Sequence, residues 1–348
     1  MSQSRRSFAS DNVVPAAPQV MAALARVNQG TVHSYGDDPE TQRLGELARR
    51  TFETELAIFP VATGTAANAL ALAVLAPPYA GIYCHDIAHI NTDECGAPEF
   101  YTGGAKLLPL ATTDGKLHAE QLAAPIAHAR AMGVHHVAPA AVSLSQATEW
   151  GTVYRPAELR ELASAAHGHG LSVHMDGARF ANAVAHLGCT PAEASWKCGV
   201  DALSFGATKN GALAAEAVIF FRPDMARDFE LRRKRAGQLW SKLRYMSAQL
   251  TALLENDLWL QHGRHANALA ARLAQGLQRC GIELVQPVEA NEVFAVLSPQ
   301  RIAALRAQGF EFYEWPAARA DRQPVVRLVT SYDMAEIDVD GLLAALSH

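Results

Sequence analysis

Cysteine is scarce in this chain and arranged for nothing that needs it. The five, Cys84, Cys95, Cys189, Cys198 and Cys280, are odd in number and lack metal or redox-pair spacing. A disulfide framework is therefore not expected, and reduced thiols in a cytoplasmic protein are. Long hydrophobic runs are missing too: no apolar segment reaches the roughly 20 residues that span a bilayer. The start, MSQSRRSFASDN, carries two arginines with no apolar stretch behind them, unlike a secretory signal. Positive charge is in deficit, with 30 Lys and Arg against 35 Asp and Glu, which argues against a nucleic-acid reader. The one basic run, RDFELRRKRAG at 227–237, reads first as a solvated helix face. The histidine pairs His167/His169 and His262/His265 lack further ligands at metal spacing, so no metal is expected. Neither a membrane nor a nucleic acid is an expected partner, and repeats and low-complexity tracts are absent.

What is present is a chain of 348 residues, 49% of them apolar, enough to bury a large core and to build one larger and one smaller domain. Helical and strand patterns alternate. A helix near 40–54 precedes IFPVATGT. A helix over 65–76, the strand GIYCH, the irregular INTDECGAPEF and a strand near 106–110 follow. Then come the strand HVAPAAVSLS, the helix PAELRELASAAHGHG with its terminating glycine, and the strand SVHMD. Such alternation predicts an α/β fold, a mainly parallel sheet covered on both faces with its ligand at the strand carboxyl ends. Near residue 252 the character changes. A long helix, LWLQHGRHANALAARLAQGLQRC, leads to strands near 283, 293, 311 and 326 and a last helix from about Asp338. The expectation is a large domain over 1–252, N-terminal arm included, and a small α+β domain over 253–348.

Two strand ends carry the chemistry. LSVHMDGARF puts Asp176 and Arg179 just past one buried strand, and DALSFGATKNG puts Lys209 just past the next. An acid and a lysine so placed suit pyridoxal 5'-phosphate. The carboxylate keeps the ring nitrogen protonated, and the amine holds the aldehyde carbon as a Schiff base. Upstream, Thr63-Gly64-Thr65 opens an Ala/Leu-rich helix, whose first amides form an anion site for the cofactor phosphate, with the Thr65 hydroxyl beside them. Arg179, three residues past Asp176, is within reach of the cofactor's phenolate oxygen or of a substrate carboxylate. Each element has a plainer reading: a strand-end Asp often caps a helix, a Gly-Thr turn often does the same, and most lysines are solvated. Their combination is the specific signal.

At this point the chain resembles the low-specificity L-threonine aldolases, within the pyridoxal-phosphate enzymes of aspartate-aminotransferase-like fold, fold type I. The matching stretches are FASDN at 8–12, YGDDPET at 35–41, GTAANALAL at 64–72, AHINTDECGAPEF at 88–100, HMDGARFANA at 174–183, TKNG at 208–211, VEANEVF at 288–294 and VRLVTSYD at 326–333. They cover nearly the whole chain in order. The resemblance implies a lyase that cleaves L-threonine, L-allo-threonine and bulkier β-hydroxy-α-amino acids to glycine and an aldehyde. It implies that Arg327 clamps the substrate carboxylate with help from Ser10, and that His89 stacks on the pyridine ring. It also implies that a second histidine, matched here by His135, faces the leaving hydroxyl. Sites of this fold commonly form between subunits, which makes Tyr35 a donor to a partner's site, Lys234 a phosphate contact there, and the protein a homodimer or homotetramer.

Other choices stay open. The proton acceptor is His135, His136, His89, Glu149 or a water, and Ala147-Thr148-Glu149 stands where many relatives carry Asn-Thr-His. A β-eliminating lyase, transaminase or racemase uses the same site with a different bond broken at Cα. A non-catalytic binder of the cofactor is the reading from another class, but it has no use for Arg327.

Overall fold

The computed structural model describes residues 6–317 and 321–346. Seven strands form the main sheet: β1 Ala57–Val61, β2 Ala80–His85, β3 Lys106–Leu110, β4 Ala138–Ser145, β5 Ser172–Gly177, β6 Ala202–Phe205 and β7 Glu216–Phe220. Their order is β1-β7-β6-β5-β4-β2-β3. The pairs β3/β2, β2/β4, β4/β5 and β5/β6 are parallel, and β7 alone runs against its neighbours. The sheet is thus mainly parallel, and its ligand pole is the edge where β4, β5 and β6 end.

Successive strand residues point to opposite faces, and both faces are packed. Tyr83, Val142, Val173, Met175, Leu203 and Ile219 enter one apolar cluster with Phe52, Phe180 and Trp259. Ile82, Cys84, Ala141, Ala202 and Val218 enter the other. The helix Gly64–Leu75 lies on that second face and is buried almost all round. Its alanines let it approach the strands closely, and it has no polar face to turn outward. The one polar side chain sunk in its middle is Asn68, 2% exposed.

A second sheet, β8 Glu292–Val296, β9 Tyr313–Trp315 and β10 Val325–Val329, is antiparallel in the order β8-β10-β9. Val293, Ala295, Val326 and Leu328 cover its apolar face against the helices Leu258–Arg279 and Glu336–Leu346. The opposite face carries Glu292, Phe294, Arg327, Tyr313 and Trp315, matched across the strands. The strand expected near 283 shrinks to a single bridge at Leu284, and the one expected near 311 is β9, which begins at Tyr313. The helix break near the expected domain boundary falls at Glu255–Asp257, where Asn256 and Asp257 take positive φ.

The N-terminal arm runs along the second sheet. Phe8 donates its N–H to the Glu311 carbonyl at 2.7 Å and accepts from the Val329 N–H at 2.9 Å. Its ring is fully buried in the small-domain cluster. The first described residues thus pack against the second sheet, where Glu311 and Val329 supply the backbone partners of Phe8 and an apolar cluster takes its ring. From there the chain turns at Ser10 into the large domain.

Candidate active site

Two glycines let the ends of β5 and β6 come close enough to share a site. A Cβ on Gly177 would lie 2.8 Å from the Ser204 carbonyl oxygen, and one on Gly206 would overlap the Ala178 backbone. Asp176 closes β5 and is 6% exposed. The Ala178 N–H donates to its Oδ1 at 3.0 Å, and Asn68 Nδ2 donates to its Oδ2 at 2.8 Å. Lys209 lies in the turn Thr208–Asn210 past β6. It is close enough that its charge acts on Asp11, Glu216 and His89.

Beneath Asp176 on the same strand face, His174 is buried between Ser143 of β4, at 2.9 Å, and Ser204 of β6, at 3.0 Å. Burial pushes its imidazole down to about 4, so it remains neutral, a polar rung across three strands that carries no charge under the site.

The turn Thr63-Gly64-Thr65 opens the helix Gly64–Leu75. Thr63 Oγ1 accepts from the Ala66 N–H at 3.1 Å and caps the helix Gly64–Leu75. The space in front of Gly64 is open, with no atom within 4 Å of where a Cβ would stand. The amides of Gly64 and Thr65, the first two positions of the helix, face that end with no intrahelical acceptor. The capping of the helix by Thr63 thus leaves the Gly64 and Thr65 amides open in front of it.

His89 begins the short helix His89–Thr92. Its N–H donates to Glu149 Oε1 at 2.9 Å, and its Nδ1 lies 2.8 Å from Glu94 Oε1. The Glu94 contact raises the imidazole pKa above its ordinary value, against the opposing effect of burial. Glu149 also accepts from Ser145 Oγ at 2.6 Å, and burial pushes its carboxyl up to about 7.

On the other side lies a cluster of paired charges. Arg179 donates from Nε to Asp11 Oδ2 at 2.9 Å and from NH2 to Asp11 Oδ1 at 3.0 Å, while NH1 stands 3.3 Å from Glu292 Oε2. Burial opposes the positive form of Arg179, but Asp11 and Glu292 outweigh it and the net shift is upward. For Asp11, burial raises the carboxyl, and Arg179, Lys209 and Asn291 together hold it below the usual range. Arg327 reaches Glu292 Oε1 at 3.7 Å and the Ala9 carbonyl at 3.3 Å, with its guanidinium 4.8 Å from the centre of the Trp315 ring. Its Nε is buried with no hydrogen-bond partner among the described residues. Ser10 Oγ accepts from the Asn12 N–H at 3.1 Å, and so shapes the turn that presents Asp11.

Gly64, Thr65, His89, Asp176, Arg179 and Lys209 therefore gather around one pole of the sheet, with Ser10 and Arg327 at its rim. His135 does not join them. It sits in the exposed turn Gly133–His135 that feeds the start of β4. The eight residues of that strand put it roughly 26 Å from the Ser145 end at 3.3 Å per residue. Parallel strands place only their carboxyl ends at the site, so within one chain His135 does not reach it. His136 turns to the Val137 carbonyl at the same wrong pole. Of the expected proton acceptors, His89 and Glu149 are the side chains within the site.

Tyr35 is also outside the cluster. It is half-exposed, its N–H bonds to the Ser241 carbonyl, and Lys234 Nζ stands 4.3 Å from its ring centre. Three of the four paired histidines go to protein partners: His167 to Asp201, His262 to the Asn210 carbonyl and His265 to the Met334 carbonyl. Asn68, Glu94, Asp11 and Glu292 were not singled out from sequence. For Asn68 and Glu292 the signal is a polar or acidic residue inside an apolar run, as in GTAANALAL and NEVFAV, whereas Asp11 and Glu94 stand in polar stretches that mark no single residue.

The site fits pyridoxal phosphate on its own chemistry. It offers free amides at an open helix start, a carboxylate already holding two donors at a strand end, and a lysine on the neighbouring strand end. The chain belongs to the beta-eliminating lyase family, whose model matches residues 7–300, and its architecture is that of the fold type I pyridoxal-phosphate enzymes. Among particular proteins it is 48% identical over 314 residues to the low specificity L-threonine aldolase of Pseudomonas aeruginosa, covering 90% of each chain. It is 44% identical over 345 residues to that of a Pseudomonas species, covering 99% of this chain and 98% of the relative. A solved threonine aldolase from Leishmania major superposes with a TM-score of 0.92 at 29% identity, covering 98% of both chains.

Proposed function

We propose that this chain is a pyridoxal-phosphate-dependent lyase that cleaves L-threonine, L-allo-threonine and related β-hydroxy-α-amino acids to glycine and an aldehyde. The observation that carries this reading is the joining of the Asp176–Lys209 pair to an arginine with unspent donors, Arg327, in a chain with near full-length aldolase relatives. When bound, pyridoxal phosphate supplies an electron sink for the pair left by the breaking Cα–Cβ bond. The chain's own residues do the rest. Lys209 would tether the group, Asp176 would hold the proton on its ring nitrogen, and Gly64 and Thr65 would hold its phosphate. His89 would pack on its ring. Arg327 would fix the substrate carboxylate and so select which bond at Cα is broken.

Arg179, with its fork taken by Asp11, acts by its fixed charge and by the N–H left on each terminal nitrogen. A proton leaves the β-hydroxyl as the aldehyde departs, and Glu149 and His89 are the side chains within the site that can take it. Arg327 also explains why a non-catalytic cofactor carrier is the weaker reading.

The assembly proposed is a homodimer or homotetramer in the cytoplasm, with sites at subunit interfaces. Exposed Met132, Val134, Tyr35 and Lys234 favour it, since a single chain leaves these groups uncovered. Among the described residues no helix is long and apolar enough to cross a membrane. Incubation of the purified protein with threonine, allo-threonine and phenylserine, with glycine and aldehyde measured together, tests the activity. Stoichiometric glycine and aldehyde is the expected result. A keto acid or an inverted amino acid as the main product overturns it.

A further inference from the structure

Between the helix Gly64–Leu75 and the strand end of β5 lies a chain of hydrogen bonds whose two middle members, Asn68 and Glu94, the proposed chemistry does not use. Asn68 has a single amide nitrogen, and it donates one hydrogen to Asp176 Oδ2 and the other to Glu94 Oε1, both at 2.8 Å. Glu94 Oε1 in turn meets His89 Nδ1 at 2.8 Å. Asn68 is 2% exposed and the Glu94 side chain is fully buried, while His89 at the end of the chain is 38% exposed on its ring side. Buried acids and amides of this kind are costly unless held by partners; the Asn68 amide nitrogen and Glu94 Oε1 are held along one line, while Asn68 Oδ1 and Glu94 Oε2 have no hydrogen-bond partner among the described residues. That line runs from the acid assigned to the cofactor nitrogen to the imidazole assigned to its ring face.

We propose that Glu94 is a positioning residue that fixes the ring orientation and tautomer of His89, and that Asn68 ties this pair to Asp176 so that the three side chains move as one unit. The proposal rests on the reading that Asp176 and His89 serve the cofactor. A carboxylate oxygen that already accepts from Asn68 also accepts from His89, so Nδ1 carries the hydrogen, while Nε2 stands 3.6 Å from Asp93 Oδ2, beyond hydrogen-bond distance. The His89 backbone is pinned separately, through its N–H, by Glu149, so ring and main chain have different anchors. The charged groups around the ring are Glu94 and Asp93 on its own segment, Glu149 after β4, Asp176 after β5 and Lys209 after β6. Of these, Glu94 makes the hydrogen bond to the ring, and that contact is the largest influence raising the imidazole's pKa. Glu94→Gln keeps the volume but removes the charge, so His89 should lose its proton at lower pH.

The test uses nitrogen-15 histidine-labelled holoenzyme, with the His89 signals identified by their loss in His89→Phe. In the unaltered protein His89 should show the Nδ1–H tautomer. In Glu94→Gln its titration should move down by about one pH unit, the scale of a single charge contact, and the tautomer should become mixed. Asn68→Ala leaves the His89–Glu94 contact whole, so the tautomer should persist while cofactor retention on dialysis falls several-fold. An unchanged His89 titration and tautomer in Glu94→Gln would overturn the positioning role. Unchanged cofactor retention in Asn68→Ala would overturn the tie to Asp176. The failure of the underlying reading looks different: cofactor absorbance then stays the same in both His89→Phe and Asp176→Asn, whatever Glu94→Gln does to the imidazole.

Discussion

The two sides of the site handle charge in opposite ways. At the small-domain rim, two guanidinium groups, Arg179 and Arg327, face two buried carboxylates, Asp11 and Glu292. At the large-domain wall, Asp176, Glu94 and Glu149 face one imidazole, with Lys209 nearby. The rim is balanced before anything binds, which makes it a rigid frame. It gives up a donor only where one is unspent, as at Arg327 Nε. The wall is acid-rich, and burial raises the carboxyls of Glu94 and Glu149 because their negative charges are under-compensated. Such a wall favours a cationic ring, and the rim favours an anionic substrate head. The pyridinium and the carboxylate of an amino acid are thus sorted to opposite sides before any bond changes.

Removing charge from the wall should have the largest effect. Asp176→Asn leaves the hydrogen-bond shape but not the charge, and turnover of threonine should fall by roughly 10²–10³-fold, the range seen when one group stabilising developing charge is lost, with a smaller change in KM. Near-normal steady-state turnover would mean that the ring nitrogen does not depend on Asp176.

At the rim the same kind of change should act on stability instead. Asp11→Asn strands the buried Arg179 fork, and breaking one half of a buried pair costs about 3–5 kcal/mol. Urea unfolding should show that loss, and a loss below about 1 kcal/mol would show that Arg179 is solvated rather than held.

Glu149 sharpens the comparison through pH. Its carboxyl stands at about 7 in the folded chain against 4.5 in its ordinary state, so the folded protein binds the proton more tightly than the unfolded one. Its contribution is fully present below about pH 4.5 and is lost as pH rises toward 7, up to about 3 kcal/mol at 1.36 kcal/mol per unit. Glu149→Gln should flatten that part of the stability profile between pH 5 and pH 8. An unchanged slope would place the carboxyl in water.

The smallest effect should come from Arg327→Lys, which keeps the charge and loses the planar fork. KM for threonine should rise roughly tenfold, about 1.4 kcal/mol, with kcat nearly kept. A fall in kcat at constant KM would move the substrate clamp elsewhere.

How legible these parts were in sequence follows from how local their causes are. Asp176, Lys209 and the Gly64 turn each sit where a strand meets a turn, so periodicity and a few turn residues placed them, and the parallel sheet followed from the same alternation. The Arg179–Asp11 fork joins residues 168 positions apart, and no local pattern announces it. Ser10 stood out through its motif while its neighbour Asp11 takes the arginine. Phe8 went to the small domain because the edge of a sheet more than 300 residues later supplies its backbone partners. His135 shows the opposite failure. Its place before β4 is the amino end of a parallel strand, the pole away from the site, and that geometry is local enough to read in the sequence. Asn68 was visible as a lone polar residue in an alanine helix, yet its two acceptors come from segments 26 and 108 positions away.

The central claim is that the lysine at the end of β6, opposite the acid-rich wall, is the one that holds the cofactor. Borohydride reduction of the purified holoenzyme, followed by peptide mapping, tests it directly. The pyridoxyl group should be found on Lys209 alone, and Lys209→Ala should lose the visible absorbance of the lysine-linked cofactor while still binding it noncovalently. A reduced adduct on any other lysine, or a Lys209→Ala protein with its visible band intact, would contradict the account.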